Sequence, residues 1–144
     1  MRHSVLQTVA GKQSATKLQG DCPGAITKSG GMIRSNDQFN TTIYGYYDRF
    51  HGIEGTRDVV LMNADDMAEA GLAHGDQVAL VGDAGDGVQR RLSGLSVVTF
   101  KLPRGTVGAY YPETNILVPI AHHDHLSKTP ASKGVPVRID ALNA

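Results

Sequence analysis

The run from Asp58 to Gly82, DVVLMNADDMAEAGLAHGDQVALVG, constrains the fold more tightly than any other part of the chain. It opens on Val59-Val60-Leu61-Met62, an unbroken apolar run of the length expected for a buried strand. Asn63 stands where a helix would begin, its side chain suited to accept from the first turn's free amides. Asp65 and Asp66 suit the positive end of the same helix. Gly71 ends it after one or two turns, because glycine adopts the left-handed conformation of a helix stop without steric cost. His74-Gly75-Asp76 then turns the chain into a second apolar run, Gln77 to Val81. The unit is strand, short helix, turn, strand.

The downstream sequence continues in short strands. Val88 to Leu92 and Leu95 to Leu102 read as antiparallel strands joined at Ser93-Gly94, and Val107 to Tyr111 as another after the Pro103-Arg104-Gly105 turn. Pro112 to Asn115 is a turn, and Ile116 to Ile120 an apolar strand that Pro119 keeps near an edge. Val135 to Ile139 is the last strand. Upstream, residues 1 to 31 are weakly patterned and read as a partly ordered leader, with Gly11 to Ser14 and Lys28-Ser29-Gly30-Gly31 as loops. The domain proper is expected over 32–144. Such a chain is a mainly β domain with one short helix, as a closed barrel or a sandwich.

Composition excludes several function classes. Fourteen basic residues balance fourteen acidic ones, so no overall field favours nucleic acid or an acidic membrane. No apolar stretch approaches the ~20 residues of a membrane span, and nothing near Met1 resembles a secretion signal. Cys22 is the single cysteine, which rules out an internal disulfide and fits a reducing cytoplasm.

No catalytic constellation stands out. His122-His123-Asp124-His125 tempts as a metal site, but adjacent residues rarely converge on one ion, and no HExxH or CxxC completes it. No G-x-S-x-G nucleophile elbow occurs, and Asp65-Asp66 is better explained as a helix first turn than as an acid–base pair. Asp83 to Gly87 is turn chemistry, neither a calcium loop nor a dinucleotide fingerprint. The densest polar grouping is Arg34 to Thr42, where a guanidinium, amides and hydroxyls could hold an anionic ligand or simply cap their own loop.

These residues resemble a family. Asn63-Ala64-Asp65-Asp66-Met67, then Gly71-Leu72 and Gly75-Asp76-Gln77-Val78, is similar to the N/H-P-x-D-A…G-I…G-D-x-V pattern. That pattern belongs to the C-terminal molybdopterin-dinucleotide-binding domain of the DMSO reductase superfamily. Arg34 to Gly45, Tyr110 to Pro119 and Thr129 to Lys133 resemble the formate-dehydrogenase-like subgroup. Ala64 departs from the usual proline, which a first helical position tolerates.

The resemblance implies a double-psi β-barrel and, as cofactor, molybdopterin guanine dinucleotide, its molybdenum or tungsten ligated outside this chain. Arg34 and Lys133 would suit phosphate or pterin oxygens. Ser35, Gln38, Asn40 and Thr41 would supply hydrogen bonds from one loop. Asn63 and Asp66 would face the dinucleotide, Asp66 on the guanine edge, with Tyr111 and Asn115 near the cofactor again. Three separated loops would form one cradle. The partners would be the remaining domains of a larger oxidoreductase, and the isolated chain would be inactive. Two other double-psi readings compete. A self-processing decarboxylase needs a Gly-Ser pair, which the chain lacks, whereas a stand-alone protein-interaction barrel remains open.

Overall fold

The computed structural model describes residues 26–35 and 45–142. Six strands close into a barrel: β1 (Ile26–Ile33), β4 (Val59–Met62), β5 (Gln77–Gly82), β6 (Arg90–Thr99), β7 (Thr106–Tyr110) and β8 (Lys133–Ala141). Their order around the barrel is β1-β7-β4-β6-β5-β8. Two neighbouring pairs are parallel, β1 with β7 and β4 with β6, and the others antiparallel, giving the interlocked crossings of a double-psi barrel. A hairpin of two two-residue strands, β2 (Tyr47–Asp48) and β3 (Ile53–Glu54), lies outside it.

The expected central unit is realised. β4 leads into α1 (Ala64–Glu69), Asn63 caps it by accepting from the Asp65 amide at 2.8 Å, and Gly71 takes φ +66° just beyond it. All four residues of β4 are buried because both faces of the strand are covered. Val60 and Met62 point into the barrel with Val78, Leu80, Val97, Val107, Val137 and Ile139. Val59 and Leu61 point outward, packing with Ile53, Tyr110 and Ile33 beneath the hairpin. This two-sided burial is why β4 reads as continuous rather than alternating apolar sequence.

Three sequence expectations need correction. Lys28 to Gly31 is not a loop but part of β1, paired with β7 on one side and β8 on the other. Its polar and glycine content answers to partners distant in sequence. Lys28 is buried in an ion pair, and a Cβ at Gly30 would stand 3.0 Å from the Val135 carbonyl oxygen. Ser93-Gly94 does not join two strands: β6 runs through it, and the register against β5 slips where Val78 faces Leu95 and Ala79 faces Ser93, so Gly94 is a bulge residue. Ile116 to Ile120 is not a strand. A 3-10 helix, η1 (Glu113–Leu117), occupies its first half, burying Thr114 and Leu117 against the barrel end.

Candidate functional site

Strand directions decide which of the sequence-selected residues can meet. β1 and β7 run the same way, with Ile33 beside Tyr110, so Arg34 and Tyr111 leave the barrel at one end, here called the upper end. β8 runs against β1 and starts there, Lys133 facing Gly31. η1 follows β7, which brings Asn115 to the same end. β4 runs against β7, with Met62 facing Val107, so Asn63 and α1 emerge at the opposite, lower end. Lys28, whose ammonium reaches Asp66, lies six residues before Arg34, roughly 20 Å along an extended strand. Arg34, Ser35, Tyr111, Asn115 and Lys133 therefore share the upper end, while Asn63 and Asp66 share the lower. The single cradle is not formed: the antiparallel pairing of β4 with β7 separates its parts. Gln38, Asn40 and Thr41 lie outside the described residues, as does Cys22.

At the lower end the polar atoms hold the barrel itself. The Asn63 amide donates to the Leu102 carbonyl at 2.7 Å as well as capping α1. Asp66, 1% exposed, accepts from the Gly105 amide at 2.6 Å and pairs with Lys28 at 3.2 Å and Arg104 at 3.5 Å. Burial raises this carboxyl's pKa, but the Gly105 amide and the two cations outweigh it, leaving it below the ordinary 3.8.

At the upper end the arrangement is different. Arg34 and Lys133 are exposed, and among the described residues neither enters an ion pair, a state they share with Arg49, Lys101 and Lys128; what sets them apart is that they stand at one barrel end with Tyr111 and Asn115. Tyr111 is 41% exposed, and Asn115 lies on the open side of η1. Two cations without carboxylate partners among the described residues, beside a phenol and an amide, fit an anionic, ring-bearing ligand such as a dinucleotide.

Beneath this surface lies a network that no local pattern announces. Arg57, 5% exposed, donates from Nε to Glu113 at 2.6 Å and from one terminal nitrogen to the Ser35 hydroxyl at 3.0 Å. The other terminal nitrogen donates to the Tyr111 carbonyl at 2.7 Å and to the second Glu113 oxygen at 3.3 Å. The guanidinium also lies 4.7 Å from the Tyr110 ring centroid. The Tyr110 hydroxyl donates to Asp48 Oδ2 at 2.8 Å, and the same oxygen lies 2.6 Å from His51 Nδ1. Burial, then the facing Asp48, push the Tyr110 hydroxyl well above its usual pKa. Asp48 is raised by burial but held below its usual value by the Tyr110 and His51 hydrogen bonds. Among the described residues no three His, Cys, Asp or Glu side chains gather as a metal set.

The molydopterin dinucleotide binding domain family matches residues 32–136. The chain belongs to that family. Its cofactor is molybdopterin guanine dinucleotide, as the sequence resemblance implied. An uncharacterized oxidoreductase of Mycobacterium tuberculosis is 46% identical over 112 residues, covering 75% of this chain. Protein YdeP of Escherichia coli is 38% identical over 113 residues, covering 77% of it. The chain spans only 14% and 15% of those relatives' lengths, so what it matches is one domain of much longer proteins. No helix among the described residues is long and apolar enough to cross a membrane.

Proposed function

We propose that the upper end of the barrel binds the dinucleotide part of molybdopterin guanine dinucleotide, within a formate-dehydrogenase-like molybdenum or tungsten oxidoreductase. The chain carries no catalytic group of its own in this reading, serves as the C-terminal domain beside the parent protein's other domains, and works in the cytoplasm. One observation carries the placement: the strand pairing gathers two exposed cations, Arg34 and Lys133, with Tyr111 and Asn115 on one barrel end, in a chain of a dinucleotide-binding family. The bound metal supplies the redox chemistry. The chain's own residues bind and orient: Arg34 and Lys133 neutralise the pyrophosphate, Ser35 and Asn115 offer directional hydrogen bonds, and Tyr111 offers a ring face. Gln38, Asn40 and Thr41 belong to this reading through the resemblance alone. The lower-end pair, Asn63 and Asp66, would act by holding the barrel in shape.

Calorimetric titration tests the reading. GDP is expected to bind in the micromolar to millimolar range, more tightly than ADP. Equal heats for the two nucleotides would remove the guanine assignment, and no heat from either would remove the site. The rival interaction module draws support from Tyr46, Tyr47 and Phe50, which are 66%, 61% and 67% exposed around the β2–β3 hairpin. GDP binding that survives Arg34→Ala but fails with Tyr47→Ser would favour a role for that flank.

A further inference from the structure

We infer that Arg57 is a positioning residue for the dinucleotide site, fixing the Ser35 end of β1 against the Tyr111–Glu113 turn so that both present their groups at one spacing. The inference rests on the upper-end site proposed above. Arg57 does not itself act as a phosphate ligand, because Glu113 takes two of its nitrogens at 2.6 and 3.3 Å and the guanidinium is buried. What the geometry gives it is reach. One rigid planar group spans Ser35, 22 residues earlier, and Tyr111 and Glu113, 54 and 56 residues later. Those partners flank the exposed groups of the site: Ser35 adjoins Arg34, and the bonded carbonyl belongs to Tyr111 itself, four residues before Asn115. The Ser35 hydroxyl, accepting from Arg57, keeps its own O–H as a donor. The ring of Tyr110, held to Asp48 through its hydroxyl, packs against the guanidinium and limits its tilt.

A purely structural arginine would lower stability without singling out the ligand. Arg57→Lys keeps a charge for Glu113 but cannot bridge three acceptors in a plane. Two readouts on the full chain separate the roles, with Val97→Ala, a core truncation remote from the site, as the comparison. The first is amide hydrogen exchange without ligand. Arg57→Lys should speed exchange at residues 111–118 relative to β5, whereas Val97→Ala should speed it throughout the barrel. The second is GDP titration at a temperature where each variant is folded. Arg57→Lys should weaken binding by ten-fold or more, and Val97→Ala by less than two-fold. Local exchange that rises while GDP affinity stays at the parent value overturns the inference and leaves Arg57 a structural clamp. Unchanged exchange and unchanged affinity overturn it as well. Absence of GDP binding in the parent chain refutes the site itself, a failure distinguishable because it needs no variant.

Discussion

Removing the Asp66 carboxylate should be among the most damaging single changes in the barrel. Its side chain is 2% exposed and that of its partner Lys28 is 6%, with 3.2 Å between their charged atoms. Asp66→Ala strands an ammonium in the interior and deprives the Gly105 amide, held at 2.6 Å, of its acceptor. Breaking a buried pair from one side costs about 3–5 kcal/mol, against about 5–15 kcal/mol of total stability for a domain. With a urea slope of about 2 kcal/mol/M, the unfolding midpoint should fall by about 1.5–2.5 M. The assay is equilibrium urea unfolding followed by circular dichroism. The double variant Lys28→Met with Asp66→Leu removes both charges and should recover most of the loss, since apolar replacement of a whole buried pair is often neutral. Arg104→Ala, whose side chain is 61% exposed, should barely move the midpoint. The reasoning fails if Asp66→Ala shifts the midpoint by less than about 0.5 M, or if the double variant is no better than the single.

Acid should unfold the domain through Asp48 and Asp66. Both carboxyls have folded-state pKa values below the ordinary 3.8, so their stabilisation is complete above that value and drains away as pH falls through the folded values. A denaturation midpoint that is flat from pH 7 to 5 and drops below pH 4 is expected, and one that drops already near pH 6 would contradict it. Gly30→Ala should destabilise by about 1–3 kcal/mol, because the new methyl meets the Val135 carbonyl oxygen at 3.0 Å and Val137 at 3.2 Å. Gly31→Ala, whose nearest neighbour is 3.9 Å away, should be tolerated. Equal thermal shifts for the two would refute the close-approach explanation of Gly30.

What the sequence disclosed followed how local each determinant is. The β4–α1–β5 unit was legible because an apolar run, an Asn cap and a glycine stop all act within a few residues of one another. β1 was illegible because Lys28 needs Asp66 to be buried and Gly30 needs β8 to be required, and neither partner is nearby in sequence. The Ser93-Gly94 break looked like a hairpin because a bulge glycine and a turn glycine have the same local signature; only the pairing with β5 distinguishes them. The apolar residues of η1 resemble a strand because their burial is one-sided and short, a pattern a 3-10 turn shares.

The site divides in the same way. Arg34, Ser35, Tyr111, Asn115 and Lys133 were picked on residue type and resemblance, and the parallel β1–β7 pair with antiparallel β8 gathers them at one end. The same topology sends Asn63 and Asp66 to the other. Arg57, Glu113 and Asp48 were not singled out, since a lone arginine between Thr56 and Asp58 announces nothing until Glu113, 56 residues later, arrives at the end of the neighbouring strand β7.

The most direct measurement compares the two ends of the barrel in one GDP titration series. Arg34→Ala and Lys133→Ala should each weaken binding by about five- to thirty-fold, the loss of one charge-assisted contact worth roughly 1–2 kcal/mol, while Arg104→Ala at the lower end leaves affinity unchanged. Weakening confined to Arg104→Ala, with Arg34→Ala and Lys133→Ala binding like the parent chain, would place the dinucleotide at the wrong end for this account.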